Sequence, residues 1–172
     1  SRVVLSRELS LETIKDIASA DIEVETFIHG ALCMSVSGQC YMSAMIGSRS
    51  ADRGLCAQAC RLPFSAIKGQ ERSDLSLKDL SGIDFIPELE KAGVTSIKIE
   101  GRMKRAEYVA AAVSACRAKA DGKEPDIDTL EAVFSRSGFT DGYLTGKLGA
   151  EMFGARRKED VVAAKEVLPK LA

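Results

Sequence analysis

Thr95-Ser96-Ile97-Lys98-Ile99-Glu100-Gly101-Arg102-Met103-Lys104, with Ala106–Ala120 directly after it, decides how this chain folds. Thr95–Ile99 is rich in β-branched residues and reads as a strand. The alanine-rich run reads as a helix, with Val109, Ala112, Val113, Cys116 and Ala120 on one side. A strand that feeds a helix is the unit of parallel α/β folds. The unit recurs outward from there. Val3–Leu5 is a strand, and Ser10 caps a helix running to about Ala20. Ile22–Ile28 is the next strand, stopped by Gly30. After an irregular stretch from about Cys33 to Asp74 come a strand at Leu75–Leu80 and a helix at Ile83–Ala92, ended by Gly93. Helices at about Ile127–Ser135 and Lys158–Leu171 close the chain.

Four strands with helical crossovers predict parallel pairing. They fall short of a full eight-stranded barrel, which takes about 250 residues. Polar residues follow the strands: Arg7-Glu8, His29, Lys78-Asp79, and Glu100, Arg102 and Lys104. Ligands bind at such carboxyl ends in parallel α/β folds. The expected fold is α/β: the carboxyl-terminal half of a TIM-type barrel over residues 1–122, with parallel strands and flanking helices. A small helical extension covers residues 123–172. A small open sheet is the alternative. The exposed edge of a half-barrel predicts self-association.

The 172 residues are 45% hydrophobic and 28% charged, which excludes disorder. No apolar run reaches the 18 or more residues of a membrane span, and no signal-peptide core opens the chain. A cytoplasmic protein with no membrane partner is expected. The net charge of −1 gives no general pull toward nucleic acid. Locally, Arg49, Arg53, Arg61, Lys68 and Arg72 face only Asp52 and Glu71, a basic stretch that could meet RNA.

Cys33, Cys40, Cys56 and Cys60 lie in that irregular stretch, spaced C-x6-C-x15-C-x3-C. Four clustered thiols in an unsecreted chain point to metal binding rather than disulfides. Soft thiolates suit zinc or an iron–sulfur cluster, and the spacing leaves both open, together with redox thiols. Gly38 and Gly54, each two residues before a cysteine, allow tight turns. Cys116 lies mid-helix on an apolar face and reads as a small core residue. His29 is the sole histidine, which argues against a cysteine–histidine nucleophile. Arg7, Lys78, Lys98, Arg102 and Lys104 are candidate cations for carboxylates or phosphates. Glu25, within a strand, needs a partner such as Arg7 or Lys98 if it points inward. Glu100 and Arg102 flank Gly101 and form either a structural ion pair or part of a site. Glu25 with Asp79, or Glu8 with Glu100, would be the acid pair of a protease.

Glu25-Thr26-Phe27-Ile28-His29-Gly30-Ala31-Leu32-Cys33, followed by Gly38-Gln39-Cys40-Tyr41-Met42-Ser43, resembles the signature of the collagenase-like peptidase family U32. Arg53–Arg61, Leu77–Leu80, Ser96–Lys104 and Gly138–Gly146 resemble further blocks of that family. The resemblance implies a TIM-type barrel in a longer protein, with this sequence starting around its fifth strand. The family name implies proteolysis. Other members are implicated in oxygen-independent hydroxylation of tRNA, rRNA or ubiquinone precursors, some with prephenate as the carboxylate oxygen donor. Those members hold a four-iron four-sulfur cluster, and carried over by motif its ligands are Cys33, Cys40, Cys56 and Cys60. The resemblance thus implies an iron–sulfur hydroxylase as the parent enzyme, with a protease and a zinc-stabilised binding module as alternatives.

Overall fold

The computed structural model describes residues 1–68 and 72–170. Glu71 of the basic stretch and the expected helix end at Leu171 lie outside the described residues. Five strands form one sheet built around β2 (Glu23–Ala31). β1 (Arg2–Val4) and β4 (Ser96–Glu100) pair with β2 in parallel, as the strand–helix rhythm predicts. Val24, Thr26 and Ile28 are buried, whereas Glu25 and Phe27 on the alternate positions stay half-exposed. That alternation is the period of a sheet with one covered face.

Gly30 does not stop β2, which continues to Ala31. A Cβ at Gly30 would lie 2.5 Å from the Glu100 carbonyl oxygen, and its φ is +126°. The glycine lets β2 and β4 approach, while a register shift between Phe27 and His29 re-aims the strand end.

The expectation of an all-parallel sheet is corrected at β3 (Asp79–Ser81), which is antiparallel to β2, with His29 opposite Ser81. A parallel return needs a crossover that carries the chain back to the start of the strand. Among the described residues, the segment after Ala31 contains only the short α2 (Met42–Gly47) and two single 3-10 turns, so it re-enters from the end where β2 finished. β5 (Phe139–Thr140), which lies beyond the four expected strands, pairs in parallel with β3. The third strand is therefore shorter and later than Leu75–Leu80.

Helix α1 (Leu11–Ala18) is capped by Ser10, whose Oγ accepts the Thr13 N–H at 3.3 Å, as expected. The expected helix at Ile83–Ala92 is a 3-10 turn leading into α3 (Ile86–Lys91). Helix α4 (Ala106–Ala120) buries Tyr108, Ala111, Ala112, Ala115 and Cys116. Its core face is thus rotated from the expected one, leaving Val109 and Val113 exposed. Small alanines let the helix lie close, and Tyr108 anchors it. α5 (Ile127–Val133) packs on α4, and α7 (Lys158–Val167) packs on α5. Between them lies the short α6 (Gly142–Thr145). No helix among the described residues is long and apolar enough to cross a membrane.

Candidate functional site

The cysteine loop begins where β2 ends. All four of its cysteines are unpaired thiols and half-buried. Burial raises the pKa of the Cys60 thiol, Arg61 opposes this, and Cys33, Cys56 and Cys40 add to the rise. The four sulfurs therefore share one neighbourhood. Among the described residues, no three His, Cys, Asp or Glu side chains converge as ligands of a single ion do. Gly38 and Gly54 turn with φ of +75° and +86°, as their positions before cysteines predict. Gln58 also adopts a left-handed backbone, which aims its N–H at Cys56 Sγ, 3.3 Å away.

Among the described residues, Arg61 makes the principal side-chain contacts that hold this loop. Its half-buried guanidinium donates to the carbonyls of Leu32 and Leu77 and to Ser76 Oγ. It thereby ties the segment of Cys60 to that of Cys33 and to the approach to β3. Ser43 Oγ accepts the Ala57 N–H at 3.0 Å, joining α2 to the second cysteine pair. Glu8 accepts the N–H and hydroxyl of Ser37. Arg102, on the exposed turn after β4, places its guanidinium beside Gly54.

Beneath the loop, Asp79 is fully buried and paired with Lys104 at 3.3 Å and with Arg136. Lys104 Nζ, Arg156 and Arg136 lie over one ring, Phe134, at 2.9, 4.3 and 4.8 Å from its centroid. Burial, then Arg61 and Arg156, pull the Lys104 ammonium down to about 7. Burial likewise lowers Arg136 to about 10. Sequence reasoning did not single out Arg136 or Arg156. Neither follows a strand, and only the folded chain brings Arg136 to Asp79 and Arg156 to the face of Phe134.

The remaining expected site residues are distributed. Glu25 meets Lys98 Nζ at 2.6 Å and Ser96 Oγ at 3.0 Å. The Lys98 contact, then Ser96, holds its pKa below the usual carboxylate value. This pair lies along the half-exposed sheet face beside Phe27, in the register of the strand starts rather than at their carboxyl ends. Arg7 packs over Phe27 and donates to the Ala31 carbonyl at 3.2 Å. Lys78 is half-exposed, its stem close to Gly154. Glu100 accepts the Arg102 backbone N–H at 3.3 Å, not its guanidinium. His29 is buried between Tyr108 and the edge of Phe139, and neither ring nitrogen is hydrogen-bonded among the described residues. Burial first, then Lys104, lowers it to about 4, so the ring is neutral. The structure brings neither Glu25 to Asp79 nor Glu8 to Glu100: the four carboxylates have separate partners.

The model of peptidase family U32 matches residues 1–154. The chain belongs to peptidase family U32. The tRNA hydroxylation protein P1 of Bacillus subtilis is 41% identical to it over 92% of this chain and 43% of its own length. The 23S rRNA 5-hydroxycytidine C2501 synthase of Escherichia coli is 47% identical over 63% of this chain and 18% of its own. A collagenase of Porphyromonas gingivalis is 35% identical over 84% of this chain and 42% of its own. The chain spans less than half the length of each of these relatives. No solved structure matches it significantly. The U32 signature read from Glu25 to Ser43 thus covers the end of β2, the first two cysteines and the start of α2.

Proposed function

We propose that this U32 chain is the cysteine-bearing part of an RNA-hydroxylating enzyme whose four thiols hold a four-iron four-sulfur cluster. The observation that carries this reading is the gathering of Cys33, Cys40, Cys56 and Cys60 in one half-buried loop at the end of β2. Two relatives named for tRNA and rRNA hydroxylation support the reaction class. The donor set fits the cluster: four soft thiolates, an amide directed at Cys56 and a half-buried guanidinium beside Cys60. A zinc ion would require its thiolates about 2.3 Å from one point, whereas a cubane spreads them over four irons.

When bound, such a cluster supplies electron transfer or a Lewis-acidic iron. The chain's own residues position and neutralise. Arg61 fixes the loop and offsets thiolate charge, and Arg102 carries an exposed guanidinium to the loop's edge. Lys78 and Arg7 stand near the same end of the sheet, where they can meet phosphate or carboxylate oxygens, including those of a small carboxylate oxygen donor. Glu25 and Lys98 line the open face. We take that face as the inner wall of a TIM-type barrel, its outer wall covered by α1, α3 and α4. The outer edges of β1 and β4 are where more of such a barrel, or a second copy, would pair. His29 acts only from behind Tyr108 and Phe139, holding the wall.

Proteolysis is the competing reading, favoured by the collagenase relative. The separate partners of Glu25, Asp79, Glu8 and Glu100 leave it without either of the expected acid pairs.

Anaerobic purification followed by iron, sulfide and zinc analysis tests the cluster. About four irons and four sulfides per chain, lost in Cys33→Ala or Cys40→Ala, are expected. Zinc near one per chain, with no iron after anaerobic reconstitution, would overturn it. The reaction is tested by mass spectrometry of tRNA and rRNA from a deletion strain. The full-length parent should restore a missing hydroxylation, and its Cys40→Ala variant should not. Casein or collagen cleavage by the pure parent, without restored hydroxylation, would establish the protease reading instead.

A further inference from the structure

A cavity of about 340 Å³ opens between the turn before α4, the end of α5 and helix α7. It is separate from the open sheet face and from the thiols. Its volume is at the small end of the range for metabolite pockets. Tyr108 and Phe134 form its aromatic wall, and apolar side chains of α5 and α7 complete the lining. Its charged lining residues are Lys104, Arg105, Arg156 and Lys165, with no acidic residue among them.

These cations are not equally available. Arg105 is spent on Glu107, to which it donates two hydrogen bonds. Lys104 touches Asp79, but Asp79 is shared with Arg136. Arg156, among the described residues, has no ion-pair partner, and Asp160 acts on it only from a distance. Glu100 acts on Lys104 in the same distant way, while Arg61 adds further positive charge. The one buried carboxylate, Asp79, is thus shared by Lys104 and Arg136, while Arg156 lies beside them over Phe134 with no carboxylate of its own among the described residues. Positive charge in such excess is costly in a desolvated site unless an anion joins it.

We infer that this cavity is a binding site for an organic phosphate monoester, its phosphate held by Lys104 and Arg156 and its apolar or ring-shaped body against Tyr108 and Phe134. A monoester carries a charge of about −1.5 to −2 and three acceptor oxygens at neutral pH. One head group thereby serves both an ammonium and a guanidinium fork. A monocarboxylate brings half that charge, and inorganic phosphate leaves the aromatic wall unused. The site stands independently of the cluster and of the hydroxylation reading.

Isothermal titration calorimetry of the full chain with phenyl phosphate tests it. Expected is binding at one per chain, at least about tenfold tighter than phenylacetate or inorganic phosphate. Arg156→Gln should weaken it about tenfold, the loss of one charge-assisted contact. Arg117→Gln removes an equal charge from the exposed part of α4, where Arg117 pairs with Asp121, and should change it by less than about twofold. Val161→Trp, at a partly exposed position of the lining, should block the cavity while the circular dichroism spectrum keeps its folded form. Absence of phenyl phosphate binding overturns the site. Equal losses in Arg156→Gln and Arg117→Gln reduce it to general charge attraction and also overturn it. Phenylacetate binding as tightly as phenyl phosphate overturns the assignment of a phosphate.

Discussion

Glu25 and Asp79 are both strand carboxylates paired with a lysine, yet they occupy opposite regimes of the same sheet. Glu25 meets Lys98 on the half-open face, where the Lys98 side chain is 42% exposed. Asp79 is 0% exposed, and its partners Lys104 and Arg136 are 8% and 7% exposed. An open pair exchanges easily with water and salt and is worth little. A sealed pair is held by its neighbours, and removing one member strands the others. The same residue types thus make an adjustable surface on one side and a fixed knot on the other.

The largest expected effect breaks the knot. Asp79→Ala should cost about 3–5 kcal/mol, because Lys104 and Arg136 stay buried without their carboxylate. Urea denaturation reads this directly, and a loss below about 1 kcal/mol would mean that water already reaches the pair. The next probes the seal by pH. His29 has a folded pKa of about 4, below its ordinary 6.5. The unfolded chain binds a proton that the native ring refuses, so stability is full above pH 6.5 and falls as pH drops toward 4. That shift corresponds to about 3 kcal/mol. His29→Phe should flatten the stability–pH curve across this window, whereas parallel curves would show that His29 is reached by solvent.

Arg61→Met should destabilise by about 2 kcal/mol through lost bonds to Leu32 and Leu77. The cysteine loop should be cut by trypsin or chymotrypsin several times faster, while the sheet keeps its slow amide exchange. Equal loss of protection in both would show that loop and sheet unfold as one. The smallest effect belongs to the open pair. Glu25→Gln should cost at most about 1 kcal/mol, less in high salt. Because its folded pKa is lowered, Glu25's contribution is present above its unfolded pKa and lost as pH falls through the folded value. A salt-independent loss would place this pair in the same class as Asp79.

Much of the frame was legible before folding. The β-branched runs gave β2 and β4, the Ser10 cap began α1, and the spacing of thiols marked the loop. Those signals are local: periodicity, capping chemistry and residue type. The antiparallel β3 was not legible, because its direction depends on where a long loop re-enters the sheet. Val109 and Val113 misled for a related reason. Helical period fixes which residues share a face, but the depth of neighbouring alanines decides which face is buried. Glu25's need for Lys98 could be anticipated from strand alternation. The gathering of Lys104, Arg136 and Arg156 around Phe134 could not, since no periodicity links those positions.

The Arg61 staple also orders the assembly of the molecule in time. Its carbonyl partners come from Leu32, after β2, and Leu77, before β3. Neither is within reach until these strands have paired, so the staple cannot nucleate the fold. Pairing the strands first shortens the search for the loop between them, since its ends are already held together. The thiols are therefore drawn together late, on a platform already built. A metal group held by these thiols, as proposed above, would then be loaded after folding, with the loop as the part still able to open.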